Sequence, residues 1–269
     1  MVTELRDIEA GGLAWREAGE GAPPLILLHG LGGSRTSWDA QLRALSGERR
    51  CVAWDAPGYG AAAPLPEPLT FPALADAVAR LADALGPERP HLAGLSFGGQ
   101  IAQHAALAHP HRFRSLTLLS TSPAFGLDGT EPDAWRAARL APLDAGREPA
   151  DFAETVLRGV AGPGISEPAL ASQIAAMERI SGDGLRRAIE CLVTHDLRGR
   201  LREITLPTLV LVGALDDETP PAYAEAIAAE IPGARLDIVP GAGHLLNAEA
   251  PDIVDALLRA HLADVEDAA

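Results

Sequence analysis

Lysine is absent from this 269-residue sequence, and all 22 of its basic residues are arginine. The absence excludes enzymes that form a Schiff base on a lysine and nucleotide-binding proteins that use a P-loop lysine. Cysteine is almost absent as well: only Cys51 and Cys191 occur, and two cysteines far apart in the chain do not make a disulfide framework. Cys51 opens an apolar run, so we expect a buried free thiol there.

Long apolar runs and an excess of positive charge are also missing. No apolar run approaches the length of a membrane span, and the first residues, MVTELRDIEAGGLAWREAG, lack the basic-then-apolar pattern of a signal peptide. The formal net charge of −15 repels phosphate backbones and anionic lipids. We therefore expect a cytoplasmic protein that binds neither nucleic acid nor membranes. With 47% hydrophobic residues, the chain can bury a substantial core.

Apolar runs of strand length recur along the chain. They are continuous rather than alternating, which is typical of strands buried on both faces of a sheet. The runs are PLILLHG, CVAWDAPG, HLAGLS, SLTLLST, TLVLVGALD and RLDIVPG. Helical patterns lie between several of them, over Phe71–Leu85 (with Thr70 as its predicted N-cap), Phe97–Ala108 and Pro221–Glu230. This alternation predicts an α/β fold with a mostly parallel sheet and helices on both faces.

The alternation stops between about residues 123 and 202. Helical stretches there are interrupted by AGPGISEP and SGDG, and no strand-like run occurs. Because the strand pattern resumes afterwards, we interpret this segment as a helical lid inserted over the strand ends. The predicted domains are therefore a core of residues 1–123 and 202–269 and a lid of residues 124–201.

The segment GLSFGG, residues 94–99, places a lone serine between a strand-like run and a helical pattern. It matches G-x-S-x-G, a pattern that holds a nucleophilic serine on a sharp, strained strand-to-helix turn. Gly94 and Gly98 remove the Cβ atoms that would collide with strand and helix at such a turn. We therefore predict that Ser96 is the nucleophile of an acyl-transfer enzyme.

A serine needs a base, and the base needs a carboxylate that fixes its tautomer. His244 follows an apolar run in the Gly-rich loop VPGAGHLLN, from which it can reach Ser96, although a surface loop histidine would give the same pattern. Asp216 comes directly off the strand-like run TLVLVGALD, and we favour it over the adjacent Asp217.

An oxyanion hole completes the predicted site. The loop HGLGG follows the first apolar run, so the backbone N–H groups of Leu31 and of Phe97, the residue after the nucleophile, are its predicted donors. No cofactor is implied, because GLGG is not a dinucleotide fingerprint. No metal is implied either, because His, Cys and Asp do not cluster at ligand spacing.

With these residues in place, the chain resembles the α/β-hydrolase superfamily over about residues 13–262. The resemblance rests on HG-x-G-G at 29–33, DAPGYG at 55–60, GLSFGG at 94–99, G-x-x-D-x-x-x-P at 213–220 and GH at 243–244. Their order, serine then aspartate then histidine, is that of the superfamily. The chain is most similar to the 3-oxoadipate enol-lactonase and carboxylesterase group, through HDLRGRLREITLPTLVLVGALDDETPP and DAWRAARLAPLDAG.

Three residues are candidates for binding the substrate. Trp38, near the oxyanion loop, fits either the core or the pocket wall. Trp135 and Arg139 lie about one helical turn apart in the lid segment and could face the site, where Arg139 would grip a substrate carboxylate or remain solvated.

These residues predict a hydrolase of small-molecule carboxylic esters or lactones that works through an acyl-enzyme on Ser96. The same triad also allows C–C bond hydrolysis of a dienoic diketone, or cofactor-free perhydrolysis. A hydrolase-like receptor is the third hypothesis, which the intact triad disfavours. We expect a small molecule as partner, and a homodimer is an assembly that this interpretation allows.

Overall fold

The computed structural model describes residues 4–21 and 23–268, and an eight-stranded sheet runs through them. The strands, in chain order, are β1 (Arg6–Ala10), β2 (Leu13–Ala18), β3 (Leu25–Leu28), β4 (Cys51–Asp55), β5 (His91–Leu95), β6 (Leu116–Leu119), β7 (Thr208–Gly213) and β8 (Arg235–Val239). Their order across the sheet is β1-β2-β4-β3-β5-β6-β7-β8. β3 to β8 pair in parallel, and β1 and β2 join antiparallel at one edge. The predicted mostly parallel sheet is confirmed.

The sequence does not predict β1 and β2. Their sequences, RDIEA and LAWREA, mix charged with apolar residues and contain no long apolar run, and β1 at the edge of the sheet is largely exposed. The hairpin between them turns at Gly11 and Gly12, whose φ angles of 59° and 79° suit the two-residue turn that matches strand twist. β8, at the opposite edge, is also more exposed than its apolar run predicts.

Helices cover both faces of the sheet. In chain order they are α1 (Asp39–Leu45), α2 (Phe71–Leu85), α3 (Phe97–Ala108), α4 (Pro132–Asp144), α5 (Ala153–Val160), α6 (Glu167–Met177), α7 (Gly182–Leu192), α8 (Pro221–Glu230), α9 (Leu246–Glu249) and α10 (Pro251–Asp267). The predicted bounds of α2, α3 and α8 are confirmed, and Thr70 caps α2 by accepting a hydrogen bond from Ala73 N.

Successive strand residues point into two separate cores, because side chains alternate across a strand. In β3, Ile26 and Leu28 pack into the core that includes α2, α3 and α8, whereas Leu25 and Leu27 pack into the core that includes α1 and α10. Cys51 and Cys191 are both buried free thiols, as Cys51 was expected to be.

Four helices, α4 to α7, lie between β6 and β7. In the part of this insertion that the structure describes there is no strand, only an isolated bridge between Ala124 and Asp196. Gln173 of α6 donates a hydrogen bond of 3.1 Å to the carbonyl of Ser37, so the insertion contacts the loop that follows β3. The lid boundaries at residues 124 and 201 stay a prediction.

Candidate active site

Ser96 lies between the end of β5 and the start of α3, in a strained conformation. Its φ of 54° and ψ of −118° are rare for a residue with a side chain. A Cβ atom at Gly94 would overlap the carbonyl of Gly98, and one at Gly98 would overlap the carbonyl of Leu28. The two glycines are therefore required by close packing of β3, β5 and α3. The turn holds the serine hydroxyl at the carboxyl edge of the sheet.

Three side chains distant in the chain meet at this edge. His244 Nε2 lies 3.0 Å from Ser96 Oγ, and His244 Nδ1 lies 3.0 Å and 3.1 Å from the two carboxylate oxygens of Asp216. Since Nδ1 donates to the carboxylate, Nε2 is free to accept the proton of the serine hydroxyl. Asp217, the alternative acid, is exposed. The structure thus brings together the predicted nucleophile, base and acid.

Asp216 is held in place by several donors. It accepts hydrogen bonds from the backbone N–H groups of Glu218 (3.1 Å) and Thr219 (2.8 Å), and from the Thr219 hydroxyl (2.9 Å). Burial favours the neutral acid, but the charge of His244 and these hydrogen bonds outweigh it and lower the pKa of Asp216. For His244, burial acts downward, and the charge and hydrogen bond of Asp216 outweigh it and raise the pKa above the ordinary value of 6.5.

The predicted oxyanion donors lie beside the nucleophile. A Cβ atom added at Gly30 would lie 3.3 Å from Ser96 Cβ, which shows how closely the Gly30–Leu31 backbone approaches the serine. Among the described residues, neither Leu31 N–H nor Phe97 N–H donates a hydrogen bond to the protein. Phe97 is also the first residue of α3, where backbone N–H groups have no helical partner. Both amides are therefore available to a ligand oxygen.

His29 positions the oxyanion loop. Its Nδ1 donates to the carbonyl of Gly30 at 2.8 Å, and its Nε2 accepts from Ala56 N at 3.0 Å, so the ring is neutral in this arrangement. Burial lowers its pKa, which keeps it neutral. The Tyr59 hydroxyl donates to the carbonyl of Leu31 at 3.0 Å. His29 and Tyr59 are therefore positioning residues of the loop.

Glu249 positions the loop that carries His244. Its two carboxylate oxygens accept hydrogen bonds from the N–H groups on either side of the histidine, Gly243 at 2.6 Å and Leu245 at 2.9 Å. It also accepts one from Gly162 N, in the insertion, at 3.0 Å. One side chain thus joins the histidine loop to the insertion.

A cavity of about 360 Å³ opens beside Ser96 and His244. The insertion supplies much of its wall, through Phe125, Trp135, Leu157 and Gln173 among others. Arg139 also lines it, but both carboxylate oxygens of Glu218 lie 3.3 Å from its guanidinium, which is placed 5.2 Å above the ring of Trp135. The expected position of Trp135 and Arg139 at the cavity is observed, although the arginine is already paired.

Trp38 does not line the cavity. Its side chain is fully buried in the core formed with α1 and α10, on the face of the sheet that carries Leu25 and Leu27. The interpretation of Trp38 as a pocket wall is therefore wrong. The neighbouring residue, Ser37, lines the cavity instead.

Sequence reasoning missed Thr219, Glu249 and Gln100. Thr219 follows Asp216 by three positions, a spacing at which an aspartate commonly accepts a turn hydrogen bond, so this residue had a local signal. Gln100 had none, because its partner Ser122 comes from another element. Glu249 had a local signal in its spacing from Gly243 and Leu245 but none for its bond to Gly162. Among residues 4–21 and 23–268, no group of three His, Cys, Asp or Glu side chains could hold a metal ion, and no helix could cross a bilayer.

Comparison with protein families finds a match to the model described as the Alpha/beta hydrolase family over residues 25–257. Among curated proteins, the pimeloyl-[acyl-carrier protein] methyl ester esterase of Edwardsiella ictaluri is 34% identical over 241 residues, covering 86% of this chain and 90% of that protein.

Solved structures of an esterase and an enol-lactonase are also similar to this chain. A thermophilic esterase from Thermogutta terrifontis superposes with a TM-score of 0.84 at 30% identity, covering 97% of this chain and 99% of that one. The enol-lactonase from Burkholderia xenovorans LB400 has a TM-score of 0.83 at 26% identity, covering 96% of this chain and 100% of that one. These matches confirm the fold that the sequence motifs indicated.

Proposed function

The chain belongs to the α/β-hydrolase family, and from that premise we propose that it is a serine hydrolase that cleaves small-molecule carboxylic esters or lactones through an acyl-enzyme on Ser96. It is an enzyme of the group that acts on ester bonds, as its esterase and lactonase relatives are. The observation that carries the proposal is the hydrogen-bonded chain from Ser96 Oγ through His244 to Asp216.

In the proposed reaction, His244 Nε2 takes the proton of Ser96 as Oγ attacks the carbonyl carbon. The developing oxyanion accepts hydrogen bonds from Leu31 N–H and Phe97 N–H, and the loss of one such donor typically costs about 3 kcal/mol of transition-state stabilisation. The protonated histidine then gives its proton to the leaving alcohol, and water repeats the sequence on the acyl-enzyme. Asp216 stays ionised throughout and orients the imidazole.

We further propose that residues 124–201 form a lid that shapes the substrate cavity. Its support is that Trp135, Leu157 and Gln173 line the cavity from three different helices of the insertion. A dry, enclosed cavity strengthens the hydrogen bonds to the oxyanion, because the local dielectric is low.

The test compares Ser96→Ala with a matched serine variant, Ser120→Ala. Ser120 directly follows β6, is buried and also has a positive φ of 43°, but it does not line the cavity. Ser96→Ala should lose at least about a thousandfold in kcat/KM for 4-nitrophenyl butyrate with an unchanged melting temperature, and Ser120→Ala should keep most activity.

A fluorophosphonate probe should add to Ser96 of the wild-type enzyme and to no residue of Ser96→Ala, as read by peptide mass spectrometry. Near-wild-type turnover by Ser96→Ala would remove the serine from the mechanism. Turnover of dienoic diketones but not of esters by the wild type would favour C–C bond hydrolysis by the same triad.

A further inference from the structure

The mouth of the cavity is acidic. Three carboxylates line it, Asp128, Asp217 and Glu218, and all three are exposed. Hydrogen bonds from Thr130 lower the pKa of Asp128, so this group is ionised at neutral pH. A negatively charged ligand approaching Ser96 therefore meets like charge at the rim.

The cation at the mouth is already neutralised. Arg139 is the only arginine among the described residues that line the cavity, and its guanidinium pairs with both oxygens of Glu218. It also stacks over Trp135, which fixes its direction. A substrate carboxylate would have to displace Glu218 and then lie near the two remaining acids. The structure thus disfavours the expectation that Arg139 grips a substrate carboxylate.

One of the side chains that line the cavity has an amide oxygen without a hydrogen-bond partner among the described residues. Gln100 lines the cavity four residues after Ser96 and is only 5% exposed. Its Nε2 donates to Ser122 Oγ at 3.1 Å, but its Oε1 has no hydrogen-bond partner among the described residues. A buried amide oxygen without a donor is costly, and this oxygen is closed off from solvent in the observed rotamer. Because the Gln100 side chain lines the cavity, a ligand that donates a hydrogen bond to its amide would remove that cost.

From these two independent observations, we propose that the site selects an uncharged ester or lactone that bears a hydroxyl group for Gln100, and that it discriminates against esters bearing a carboxylate. A hydroxyl both donates and accepts hydrogen bonds and carries no charge, so it suits the Gln100–Ser122 pair and passes the acidic rim. This inference rests on the proposed function, since it concerns the substrate of the same Ser96 reaction.

The charge arm compares 4-nitrophenyl hydrogen adipate with its methyl ester, which differ by one charge. The wild-type kcat/KM for 4-nitrophenol release should be at least about tenfold higher for the methyl ester at low ionic strength. That preference should shrink as salt is added, because salt screens charges at an exposed rim but does not change the fit of a methyl group.

Two glutamine variants locate the effect. Glu218→Gln removes one rim charge and frees Arg139, so the preference for the methyl ester should fall at least about fivefold. Glu225→Gln makes the same charge change on an exposed α8 residue outside the cavity and should leave the preference unchanged. The ratio of the two esters within one variant cancels any effect of residue 218 on His244, whose pKa its charge helps to raise.

The hydroxyl arm compares 4-nitrophenyl 3-hydroxybutyrate with 4-nitrophenyl butyrate. Gln100→Met should lower the ratio of their kcat/KM values about tenfold, because the hydroxyl loses its partner. Gln103→Met is the matched control. Gln103 is fully buried on the same helix, and its side-chain amide donates a hydrogen bond to the backbone carbonyl of Ser122, but the residue does not line the cavity. It should leave the ratio unchanged.

Equal turnover of the two adipates by the wild type, or faster turnover of the carboxylate, would overturn the charge selection. An unchanged hydroxybutyrate ratio in Gln100→Met would overturn the hydroxyl contact. Both results would still be compatible with ester hydrolysis by Ser96. No turnover of any of the four esters would instead overturn the proposed function, and this inference with it.

Discussion

His244 must be neutral to accept the proton of Ser96, so its pKa sets the acid limit of the proposed reaction. Burial alone would lower that pKa, but the charge and hydrogen bond of Asp216 raise it above 6.5. The kcat/KM for 4-nitrophenyl butyrate should therefore fall with a midpoint above pH 6.5, about tenfold per pH unit below it. A pH–rate profile measures this limb directly, and a midpoint well below 6.5 would contradict the assignment.

Asp216→Asn tests the cause of that raised pKa. Without the carboxylate charge, the midpoint should move to lower pH, and the plateau should fall about a thousandfold or more because the imidazole loses its required tautomer. Asp217→Asn is the matched control, since the sequence alone left Asp217 as an alternative and its side chain is exposed. It should lose less than about tenfold and keep the midpoint. The opposite ranking of the two variants would assign the acid to Asp217.

At the scale of elements, the junction of β3, β5 and α3 should tolerate no added atom at Gly98. A Cβ atom there overlaps the carbonyl oxygens of Leu28 and His29, which are backbone atoms and cannot yield easily. Gly98→Ala should lower the free energy of unfolding by about 3 kcal/mol or more. Gly159→Ala, in α5, meets no atom within 4 Å and should raise it by about 0.5–1 kcal/mol. Urea unfolding measures both, and a neutral Gly98→Ala would contradict the packing argument.

The histidine loop and the insertion should also depend on each other through Glu249. In Glu249→Gln an amide N–H₂ replaces one carboxylate oxygen, so at least one of the N–H groups of Gly162, Gly243 and Leu245 loses its acceptor. Losing a charged hydrogen bond costs about 2 kcal/mol, and kcat should fall about tenfold as His244 becomes less well placed.

Glu230→Gln is the control for this variant. Glu230 also accepts a backbone hydrogen bond, from Leu201 N at 3.1 Å, but this bond does not involve the loop that carries His244. The Glu230→Gln variant should have a lower free energy of unfolding than the wild type but the same kcat. Equal losses of kcat in the two variants would show that Glu249 acts through general stability alone.

The sequence predicted the elements whose signals are local. β5, the turn at Ser96 and α3 carry their own apolar run, glycines and helical pattern, and the structure brings Ser96 to His244 as expected. The edge hairpin β1–β2 was not predicted, because charged residues interrupt its apolar residues and leave neither a continuous run nor a clean alternation. Trp38 was ambiguous since a sequence does not show which face of the sheet a loop residue reaches. The link that Glu249 makes to the insertion could not be predicted, because its partner there, Gly162, lies 87 positions away.

At the scale of the whole molecule, several histidines are kept neutral by full or partial burial, His91 and His195 being buried and His104 partly buried. Burial lowers the pKa of His91 to about 4, of His104 to about 3 and of His195 to about 4. The last two form a pair: His104 Nε2 donates to His195 Nδ1 at 3.2 Å, and His195 Nε2 donates to the carbonyl of Ser122 at 2.9 Å. The ring of Phe71 stacks on His104 at 4.4 Å. His104 belongs to α3, so protonating either ring would place a charge in the cluster that this helix forms with Phe71 and His195.

Acid should therefore destabilise the fold through these rings. The unfolded chain binds protons at His104 as pH falls through about 6.5, whereas the folded chain does not until about pH 3, so the free energy of unfolding falls as pH is lowered between these values. The loss due to His104 is about 2 kcal/mol at pH 5, and it is absent above pH 7. His104→Gln should flatten the dependence by about 1.2 kcal/mol per pH unit between pH 6 and 5, because nearly one proton fewer is taken up on unfolding.

Urea unfolding from pH 8 to 5 gives these slopes, with His111→Gln at an exposed position as the control. The His104→Gln variant also loses the stack on Phe71, so it starts less stable at pH 8, and the comparison uses the slope rather than the absolute free energy. Asp7 and Glu17 are carboxylates whose pKa is lowered in the folded protein. Their protonation lowers the free energy of unfolding at still lower pH, and it does so equally in the wild type and in His104→Gln. A His104→Gln slope equal to that of the wild type would mean that the folded protein protonates this ring as readily as the unfolded chain does, and it would contradict the argument from burial.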